Sequence, residues 1–529
     1  MDYVGRILSG SSVSEAVMRI EGKISIEDLV FIKSGEGSGY LSVVRDIQYY
    51  DELLSKYKSQ LPAVDVDVFK YKNATLKLLG EVRDNRYVPY VTSPPRPSSP
   101  CYRCNADFLN LVLGSNITSL PSIGYHKFSG FKIGIRLEYI TQHVGIFGAT
   151  GTGKSVTTRR LIKTLLDNGY RVLVFDHTGV DYAPYFPNVV CSSDVKIAPS
   201  SISKTILRRC DLNPQTYSDY IEIATYSFLE WFERSSKSDF ERFRNEHGIV
   251  EIGENDAQIR IRKGAVKDGN SICPTVQVTV SGKGIKTIKR DFIIKSFSDF
   301  IYAVYIQKVI DVMQSFGAWG TTQVKFIIKF INSITPDQFM RLVSRKYDAS
   351  QIVDNVLKND ILVVDLSYDP IENRYGIIND VVTEVWNRIE SSGKPLSPPL
   401  VIVIDEAQNY AKRGTACYYI LARTVREGRK WGLGLVVASQ RFIYDIEPEI
   451  RQNLCTVLFS KMQTGTDLSE LNKVIDLGGV TMKNMSVLER GDFFIVGLMN
   501  PLPHPILLHI NPYPNINNDE TAEMEEEEK

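Results

Sequence analysis

A glycine-rich loop between two apolar segments constrains the fold of this chain more than any other feature. The first apolar segment is HVGIFG, the loop leads into the helical segment GKSVTTRRLIKTLLDNGY, and the apolar segment RVLVFD follows directly. A strand, a helix and a second strand at this spacing form a βαβ unit, and such units build parallel sheets. We therefore expect an α/β fold with a mostly parallel sheet.

The loop fits the phosphate-binding pattern G-x-x-x-x-G-K-[ST]. Its glycines let the backbone curl so that successive N–H groups point at phosphate, and the following helix directs its positive end at the same anion. Lys154 is predicted to contact the β- and γ-phosphates of ATP, and Ser155 to bind Mg²⁺. The predicted nucleotide-binding residues are Gly148, Ala149, Thr150, Gly151, Thr152, Gly153, Lys154, Ser155 and Val156.

Two adjacent acids, Asp405 and Glu406, follow the apolar segment LVIVI. A carboxylate at the carboxyl end of a buried parallel strand reaches the ligand crevice of the sheet. Asp405 is predicted to act on the Mg²⁺ side, and Glu406 to activate the water that attacks the γ-phosphate. The alternative is a solvated acidic pair without a catalytic role.

Two further polar residues end apolar segments in the same way. Gln440 follows the segment VVAS and is predicted to sense the γ-phosphate, although it could be a polar residue at the start of a loop. Asp176 ends RVLVF and is predicted to face the same crevice, with a cap or turn aspartate as the alternative.

A basic cluster lies in ILARTVREGRKWG, just before the strand that ends at Gln440. Arg423, Arg426 and Lys430 share one helical face, and Arg429 stands beside the Gly–Trp turn. P-loop sites commonly receive an arginine from a neighbouring subunit at the far side of the γ-phosphate. A solvated basic helix end is the alternative for each of these arginines.

Other basic residues could contact nucleic-acid phosphate. Lys412 and Arg413 follow the acidic pair in a loop near the predicted catalytic edge. The segments QIRIRKGAVK (258–267) and SGKGIKTIKR (281–290) are also basic, and a solvated hairpin is the favoured interpretation of both.

The first 95 residues carry short apolar or alternating runs that Gly, Ser and Asn separate. Closely spaced short strands predict a small N-terminal β-barrel over residues 1–95. Residues 96–140 are predicted to be a linker and a lead-in to the core. Four prolines within residues 93–104 argue there against a helix or a central strand.

The core is predicted to be split. Segments of nearly continuous apolar sequence occur in residues 141–190 and again in residues 355–510, as in strands buried on both faces. Residues 191–354 between them are predicted to form an inserted, mainly helical domain, with a helix starting at Thr335-Pro336 and a strand-rich elaboration at 249–293. The acidic residues 511–529 are predicted to be disordered or to lie on a neighbour.

Composition narrows the setting but not the function. The chain has 62 basic and 62 acidic residues among 529, so any DNA contact must come from local loops. Seven cysteines without a regular framework indicate a reducing compartment, and the single Cys101-x-x-Cys104 pair argues against zinc. The chain shows neither a signal-peptide core nor about 18 consecutive apolar residues, which predicts a cytoplasmic protein without a membrane span.

The segments GIFGATGTGKS, VLVFDHTGVDY, VIVIDEAQNY, ARTVREGRKWGLGLVVASQR and GDFFIVGLMNPLP together resemble the HerA family. This family comprises hexameric, DNA-translocating ATPases of the wider FtsK-like group. The resemblance spans nearly the whole chain and implies a RecA-like P-loop core, an N-terminal β-barrel and a helical insertion. REGRK followed by a strand ending in SQR is its most specific part.

The resemblance also implies roles for individual residues and partners. Lys154 and Ser155 match the Walker A pair, Glu406 matches the catalytic glutamate, and Arg429 matches the arginine that acts across the subunit interface; Asp176 and Gln440 match as well. Family members form homo-hexamers threaded by duplex DNA and often work with the nuclease NurA on DNA ends.

This chain departs from the family pattern at several positions. Gln142 stands where an arginine is common, and the segment after Asp176 lacks the family's His and Glu in their places. These departures indicate a divergent relative with an altered partner or substrate. A conjugation- or secretion-type transport motor is the competing interpretation, and a structural ring or nucleotide-gated switch with little turnover is a third.

Overall fold

A computed structural model describes residues 1–51, 70–245, 249–252, 257–268, 271–282, 285–292, 296–318 and 321–512. The chain divides into two compact units. The first unit comprises Met1–Val189, Asn355–Asp365 and Val385–Lys529, and the second comprises Val190–Asp354 and Leu366–Glu384. Among the described residues, no helix is both long and apolar enough to cross a membrane.

The chain begins with a closed β-barrel. Its strands are β1 (Asp2–Ile7), β2 (Glu15–Ile20), β3 (Leu29–Gly35), β4 (Ser38–Asp51), β5 (Lys70–Arg83), β6 (Arg86–Val88) and β7 (Pro100–Arg103). The order is β2-β1-β7-β3-β4-β5, and pairing of β2 with β5 closes a barrel of six strands to which β6 is added. The β2–β5 pairing joins the two sides of the six-stranded sheet, and the expected N-terminal barrel is confirmed.

Strand β7 contradicts the linker predicted at the start of residues 96–140. It lies between β1 and β3 in the barrel, and Cys101 pairs with Gly5 on one side and with Ile32 on the other. The prolines do not prevent this, because Pro100 is the first residue of the strand and the other prolines precede it. A proline is tolerated at a strand's first residue, so proline density alone did not exclude a short central strand.

The core of the first unit starts after the barrel. Its first elements are α1 (Ala106–Leu113), α2 (Ser115–Thr118), β8 (Gly124–His126), β9 (Lys132–Ile133), β10 (Val144–Phe147), α3 (Lys154–Asp167) and β11 (Arg171–Asp176). Helix α3 begins at the lysine of the glycine-rich loop, as expected.

The segment between the two parts of the core is helical with a four-stranded sheet. It contains β12 (Val189–Cys191), α4 (Pro199–Arg209), α5 (Pro214–Asn245), β13 (Ile249–Ile252), β14 (Ala257–Asp268), β15 (Ser271–Gly282), β16 (Ile285–Phe292), α6 (Phe297–Ser315), α7 (Thr321–Ser333), α8 (Pro336–Val343) and α9 (Ala349–Asn359). Helix α8 starts with the expected capping box, in which Thr335 and Gln338 bond each other's backbone N–H.

The second part of the core completes the chain. Its elements are β17 (Ile361–Asp365), α10 (Ile371–Ser392), β18 (Leu400–Ile404), α11 (Tyr418–Glu427), β19 (Leu433–Ser439), α12 (Pro448–Arg451), β20 (Thr456–Phe459), α13 (Gly465–Val474), α14 (Met482–Met485), β21 (Asp492–Gly497) and β22 (Ile506–Ile510). Of the predicted acidic tail, residues 513–529 lie outside the described residues.

The sheet of the first unit is parallel over one half. Its order is β17-β11-β18-β19-β10-β20-β21-β22-β8-β9, with parallel pairing from β17 to β20 and antiparallel pairing from β20 onward. Strands β18 and β19 are buried at every residue. Parallel strands that helices cover on both faces are buried in this way. The predicted parallel sheet is correct for six of the strands, β17, β11, β18, β19, β10 and β20.

The second unit has its own aromatic core and takes in residues assigned to the main core from sequence. Rings of Phe228, Tyr305, Phe330 and Phe339 pack within this core. Residues 366–384 cluster here and not with the rest of 355–510. Buried polar contacts hold them, including the ion pair of Arg345 with Asp369 at 2.6 Å.

A buried polar cluster joins the barrel to later segments of the first unit. Arg45 of β4 forms an ion pair with Glu27, and it donates to the carbonyls of Gly478 at 2.9 Å and Pro505 at 2.6 Å. Asn484 donates to the Glu27 carboxylate at 2.7 Å. Burial raises the pKa of Glu27 and lowers the pKa of Arg45, so each charge depends on the other.

Replacing Arg45 by Met should lower the free energy of unfolding by roughly 3–5 kcal/mol, because an uncompensated carboxylate remains buried. The double variant Arg45→Met/Glu27→Gln should recover a large part of this loss. Denaturant titration measures both values. Arg83→Met removes a half-exposed guanidinium from its pair with Glu81, and it is the control, for which a smaller change is expected because Thr92 still donates to the Glu81 carboxylate. Equal stability of the Arg45 and Arg83 variants would contradict a stabilising role for the buried cluster.

Candidate nucleotide-binding site

The glycine-rich loop lies at the carboxyl edge of the parallel strands, between β10 and α3. Gly151 and Gly153 have φ angles of +84° and +100°, a region that side-chain-bearing residues rarely adopt. A Cβ on Gly148 would lie 2.8 Å from the Thr152 hydroxyl oxygen. The positions predicted from the pattern therefore require glycine for geometric reasons.

Lys154 lies inside this loop. Its ammonium group donates to the carbonyl oxygens of Gly148 at 2.9 Å and Ala149 at 3.4 Å. Burial lowers the pKa of Lys154, and the nearby Glu406 and Asp405 carboxylates oppose that shift. No side chain caps the start of α3, where Ser155 and Val156 form part of the half-buried first turn. Backbone N–H groups and an ammonium group thus converge where a phosphate can bind.

Two other backbone segments form hydrogen bonds with the glycine-rich loop, and the sequence analysis did not predict them. The N–H of Gly491 donates to the Thr152 carbonyl at 2.9 Å, and the Ala149 N–H donates to the Lys461 carbonyl at 2.8 Å. Gly491 has a φ of +90° and also accepts from the Ile510 N–H at 2.9 Å. The only signal in the sequence was a glycine directly before β21.

Asp405 follows β18 and is 3% exposed. The Tyr182 hydroxyl donates to its Oδ1 at 3.4 Å, whereas its buried Oδ2 has no hydrogen-bond partner in the described part of the chain. Burial, followed by the charges of Glu406, Asp181 and Asp176, raises the pKa of Asp405 to about 8. A carboxylate in such a position is stabilised by a cation.

Three carboxylates meet at this point. One oxygen each from Asp176, Asp181 and Asp405 lie within 4.8 Å of one another, which is a donor set of the kind that Mg²⁺ prefers. Asp181 was not among the predicted site residues. The signal for it in the sequence is an acid five residues after the end of β11.

The Asp176 carboxylate accepts several backbone hydrogen bonds, unlike that of Asp405. Its Oδ1 accepts from the backbone N–H groups of Thr178 at 3.1 Å and Gly179 at 3.0 Å. Its Oδ2 accepts from those of Tyr182 at 2.9 Å and Ala183 at 3.1 Å. Asp176 therefore organises the turn that carries Asp181 and Tyr182, which is the turn role considered as the alternative for this residue.

The Glu406 carboxylate acts electrostatically on the ammonium group of Lys154. Glu406 is the largest charge acting to raise the Lys154 pKa, and its backbone is in the left-handed region with φ +46°. The Gln408 side-chain amide donates to the Glu406 carboxylate, and the Asn409 amide donates to the Glu406 carbonyl at 3.2 Å. A non-glycine residue in this conformation is uncommon, and such residues occur at functional sites as well as in turns.

Gln440 and Arg429 stand at opposite ends of β19. The parallel register pairs Phe147 with Ser439, so Gln440 is level with the start of the glycine-rich loop. Exposed Arg429 precedes the strand, and six residue steps from Leu433 to Ser439 span about 20 Å. Arg429 is therefore remote from the phosphate loop of its own chain.

The neighbouring arginines are bound within the chain. Arg423 forms ion pairs with Glu390 at 2.5 Å and Glu427 at 3.3 Å. Arg426 forms an ion pair with Glu449 at 2.6 Å. No ion pair of Arg429 occurs in the ranges that the structure describes, which leaves it as the arginine best able to act on another molecule.

The chain is similar to known helicases over most of its length. A family model described as "Helicase HerA, central domain" matches residues 121–409. The DNA double-strand break repair helicase HerA of Pyrococcus furiosus is 22% identical, and the match covers 95% of this chain and 91% of the relative. The helicase of the same name from Saccharolobus solfataricus is 20% identical, with 94% and 91% covered.

Two solved structures illustrate the more distant similarity. VirB4 of Thermoanaerobacter pseudethanolicus is 16% identical with a TM-score of 0.45, covering 75% of this chain and 98% of its own. The bacterial conjugative coupling protein TrwBdeltaN70 is 14% identical with a TM-score of 0.45, covering 77% and 93%. The family match is the decisive one, because residues 121–409 are more than half of the 529 residues and include the loop and both acids. This chain belongs to the HerA helicase central-domain family.

Proposed function

We propose that this protein is a Mg²⁺-dependent ATPase that moves along duplex DNA as a homo-hexamer. The convergence of Lys154, Asp405 and Glu406 at one edge of a parallel sheet supports ATP hydrolysis, and the similarity to HerA helicases supports movement along DNA. The names of the relatives add DNA double-strand break repair as the setting, so we infer a role in processing DNA ends with a nuclease partner of the NurA kind.

Each residue has a separate task in this proposal. The loop N–H groups and Lys154 bind the phosphates of ATP and orient them. Asp405 and Ser155 would hold Mg²⁺, which would offset phosphate charge, and Asp181 lies close enough to Asp405 to assist. Glu406 accepts the proton of the attacking water. Gln440, level with the loop, contacts the γ-phosphate.

Glu406→Gln should bind ATP normally and lose turnover, because an amide keeps the shape of the side chain but cannot accept the proton. The kcat is expected to fall roughly 10²-fold or more. A fluorescent ATP analogue measures binding, and phosphate release measures turnover. Glu470→Gln, which changes a partly exposed carboxylate paired with Lys473 on α13, is the matched control. Turnover of Glu406→Gln within about threefold of wild type would remove Glu406 from catalysis.

The position of Arg429 leads to a second prediction. Arg429→Ala should abolish turnover while leaving ATP affinity nearly unchanged, because Arg429 completes the site of a neighbouring subunit. Mixing inactive Arg429→Ala subunits with inactive Glu406→Gln subunits should then restore part of the activity, since some interfaces regain both groups. Native mass spectrometry of the mixture checks that hexamers form. Mixed hexamers without any recovery, or a fully active monomer, would rule out the shared site.

The DNA contact is assigned to Lys412 and Arg413, which are exposed in the loop after Glu406. Arg413 lies 3.4 Å from the Tyr418 hydroxyl, which positions it in that loop. A loop that moves with the catalytic glutamate can couple hydrolysis to a step along DNA. A few basic residues repeated around a ring are sufficient for a chain with zero net charge.

Lys412→Ala/Arg413→Ala should therefore remove the stimulation of ATPase by duplex DNA without abolishing DNA-independent turnover. The slope of log Kd against log salt concentration should flatten by about 1 for each DNA phosphate that the variant no longer neutralises. Lys286→Ala/Lys289→Ala is the comparison variant, because the 281–290 segment, whose side chains lie outside the described part of the structure, is the alternative basic site. Loss of stimulation in the comparison variant alone would move the DNA contact to the second unit.

A further inference from the structure

The hydroxyl of Ser439 lies between two acceptors. Ser439 is the last residue of β19 and is completely buried. Its Oγ is 2.8 Å from the Gln408 Oε1 and 2.7 Å from the Asp445 Oδ2. A serine hydroxyl has one proton and can donate to only one of these oxygens at a time. Two hydrogen-bond arrangements are therefore possible at this position.

The first arrangement fixes the Gln408 amide. When the Ser439 hydroxyl donates to Oε1, the amide oxygen points at Ser439 and the Nε2 group points at the Glu406 carboxylate, to which it donates. The Glu406 carboxylate then accepts a hydrogen bond from the Gln408 amide, whose oxygen in turn accepts one from the Ser439 hydroxyl. A side chain restrained at both ends of its amide keeps a single orientation.

The second arrangement releases the carboxylate. If the Ser439 hydroxyl donates to Asp445, the Gln408 oxygen loses its donor and the amide can turn to donate to Ser439 Oγ. Its oxygen would then face the Glu406 carboxylate and repel it. The acceptor to which the Ser439 hydroxyl donates thus determines whether the Gln408 amide attracts or repels the Glu406 carboxylate.

The competing acceptor belongs to the loop that begins with Gln440. Asp445 Oδ2 also accepts from the backbone N–H of Arg441 at 2.8 Å, and the Ile443 N–H donates to Asp467 at 2.9 Å. Arg441 and Asp445 therefore belong to one hydrogen-bonded turn, and Gln440 is the residue that connects this turn to the end of β19. A displacement of this turn changes the distance between Asp445 and Ser439.

We propose that Gln408 is a positioning residue whose amide holds the Glu406 carboxylate. Ser439 and Asp445 determine whether the Gln408 amide keeps its hydrogen bond to Glu406 or gives it up. The inference rests on the proposed function, in which Glu406 is the base and Gln440 contacts the γ-phosphate. Contact with the phosphate at Gln440 is transmitted through the turn to Ser439. Glu406 is released when the nucleotide and the DNA are in place.

The proposal is distinguished from a purely structural network by the direction of the effects. Gln408→Leu and Ser439→Ala both remove the hold on Glu406, so DNA-independent kcat should rise about fivefold, the contribution of one ordinary hydrogen bond. The ratio of DNA-stimulated to DNA-independent kcat should fall by the same factor, with the KM for ATP unchanged. Among the described residues, Asp445→Ala leaves Ser439 with Gln408 as its acceptor, so the kcat of this variant should fall about fivefold.

A double variant tests whether the three residues act in one network. In the Gln408→Leu background, Asp445→Ala should have no further effect on kcat, because the amide through which it acts is absent. Gln452→Leu changes an exposed glutamine on the same unit and is the matched control, for which wild-type kinetics are expected. Ser439→Ala removes a single atom from a buried strand and reports on the network even if the larger substitution at Gln408 disturbs folding.

The outcomes separate this inference from the function on which it rests. A fall in kcat for both Gln408→Leu and Ser439→Ala, or additive effects in the double variant, would overturn the positioning role while an inactive Glu406→Gln still supports the proposed function. Turnover by Glu406→Gln near that of wild type would overturn both. Opposite effects of Ser439→Ala and Asp445→Ala, with loss of the Asp445 effect in the Gln408→Leu background, support the proposal.

Discussion

Parallel pairing of β10, β11, β18 and β19 is the constraint on which the candidate site depends. Parallel strands end at the same edge of a sheet, so the residues that follow them are brought together although they are far apart in sequence. The register pairs Phe147 with Ser439 and Phe175 with Ile404, which aligns the glycine-rich loop, Asp405 and Gln440 along that edge. The same register places Arg429 at the opposite edge.

Burial at this edge disfavours the charged forms of Asp405 and Lys154 unless each has a partner of opposite charge. Asp405 has its pKa raised to about 8, and the pKa of Lys154 is lowered, both chiefly because the surrounding protein replaces water. An anionic phosphate beside Lys154 and a cation beside Asp405 would offset both costs together. A nucleotide and its metal ion bound as one complex would supply both partners.

Local sequence patterns were sufficient for several parts of the fold. The glycine-rich loop, the start of α3 at Lys154 and the apolar strand before Asp405 follow from spacing and periodicity within short segments. The N-terminal strands were also evident, because alternation and turn residues delimit them. Strand β7 was missed because its place between β1 and β3 depends on partners about 70 to 100 residues away in the sequence.

The interactions that tune the site could not be obtained in this way. Asp176 and Asp405 both end apolar strands, yet four backbone N–H groups surround one carboxylate and the other has a buried oxygen without a partner among the described residues. The link from Gln408 to Ser439 joins residues 31 positions apart and has no sequence signature. Such differences arise from tertiary packing, which cannot be predicted from residue type and spacing.

The most direct test of the central claim is the ATPase rate of the purified wild-type protein with and without duplex DNA, over a range of salt concentrations, with the mass of the active assembly determined in parallel. A hexamer whose Mg²⁺-dependent ATP turnover rises with duplex DNA, and whose stimulation weakens as salt increases, is the expected result. ATP turnover that is identical with and without DNA at every salt concentration would contradict DNA translocation and favour a transport motor acting on another cargo.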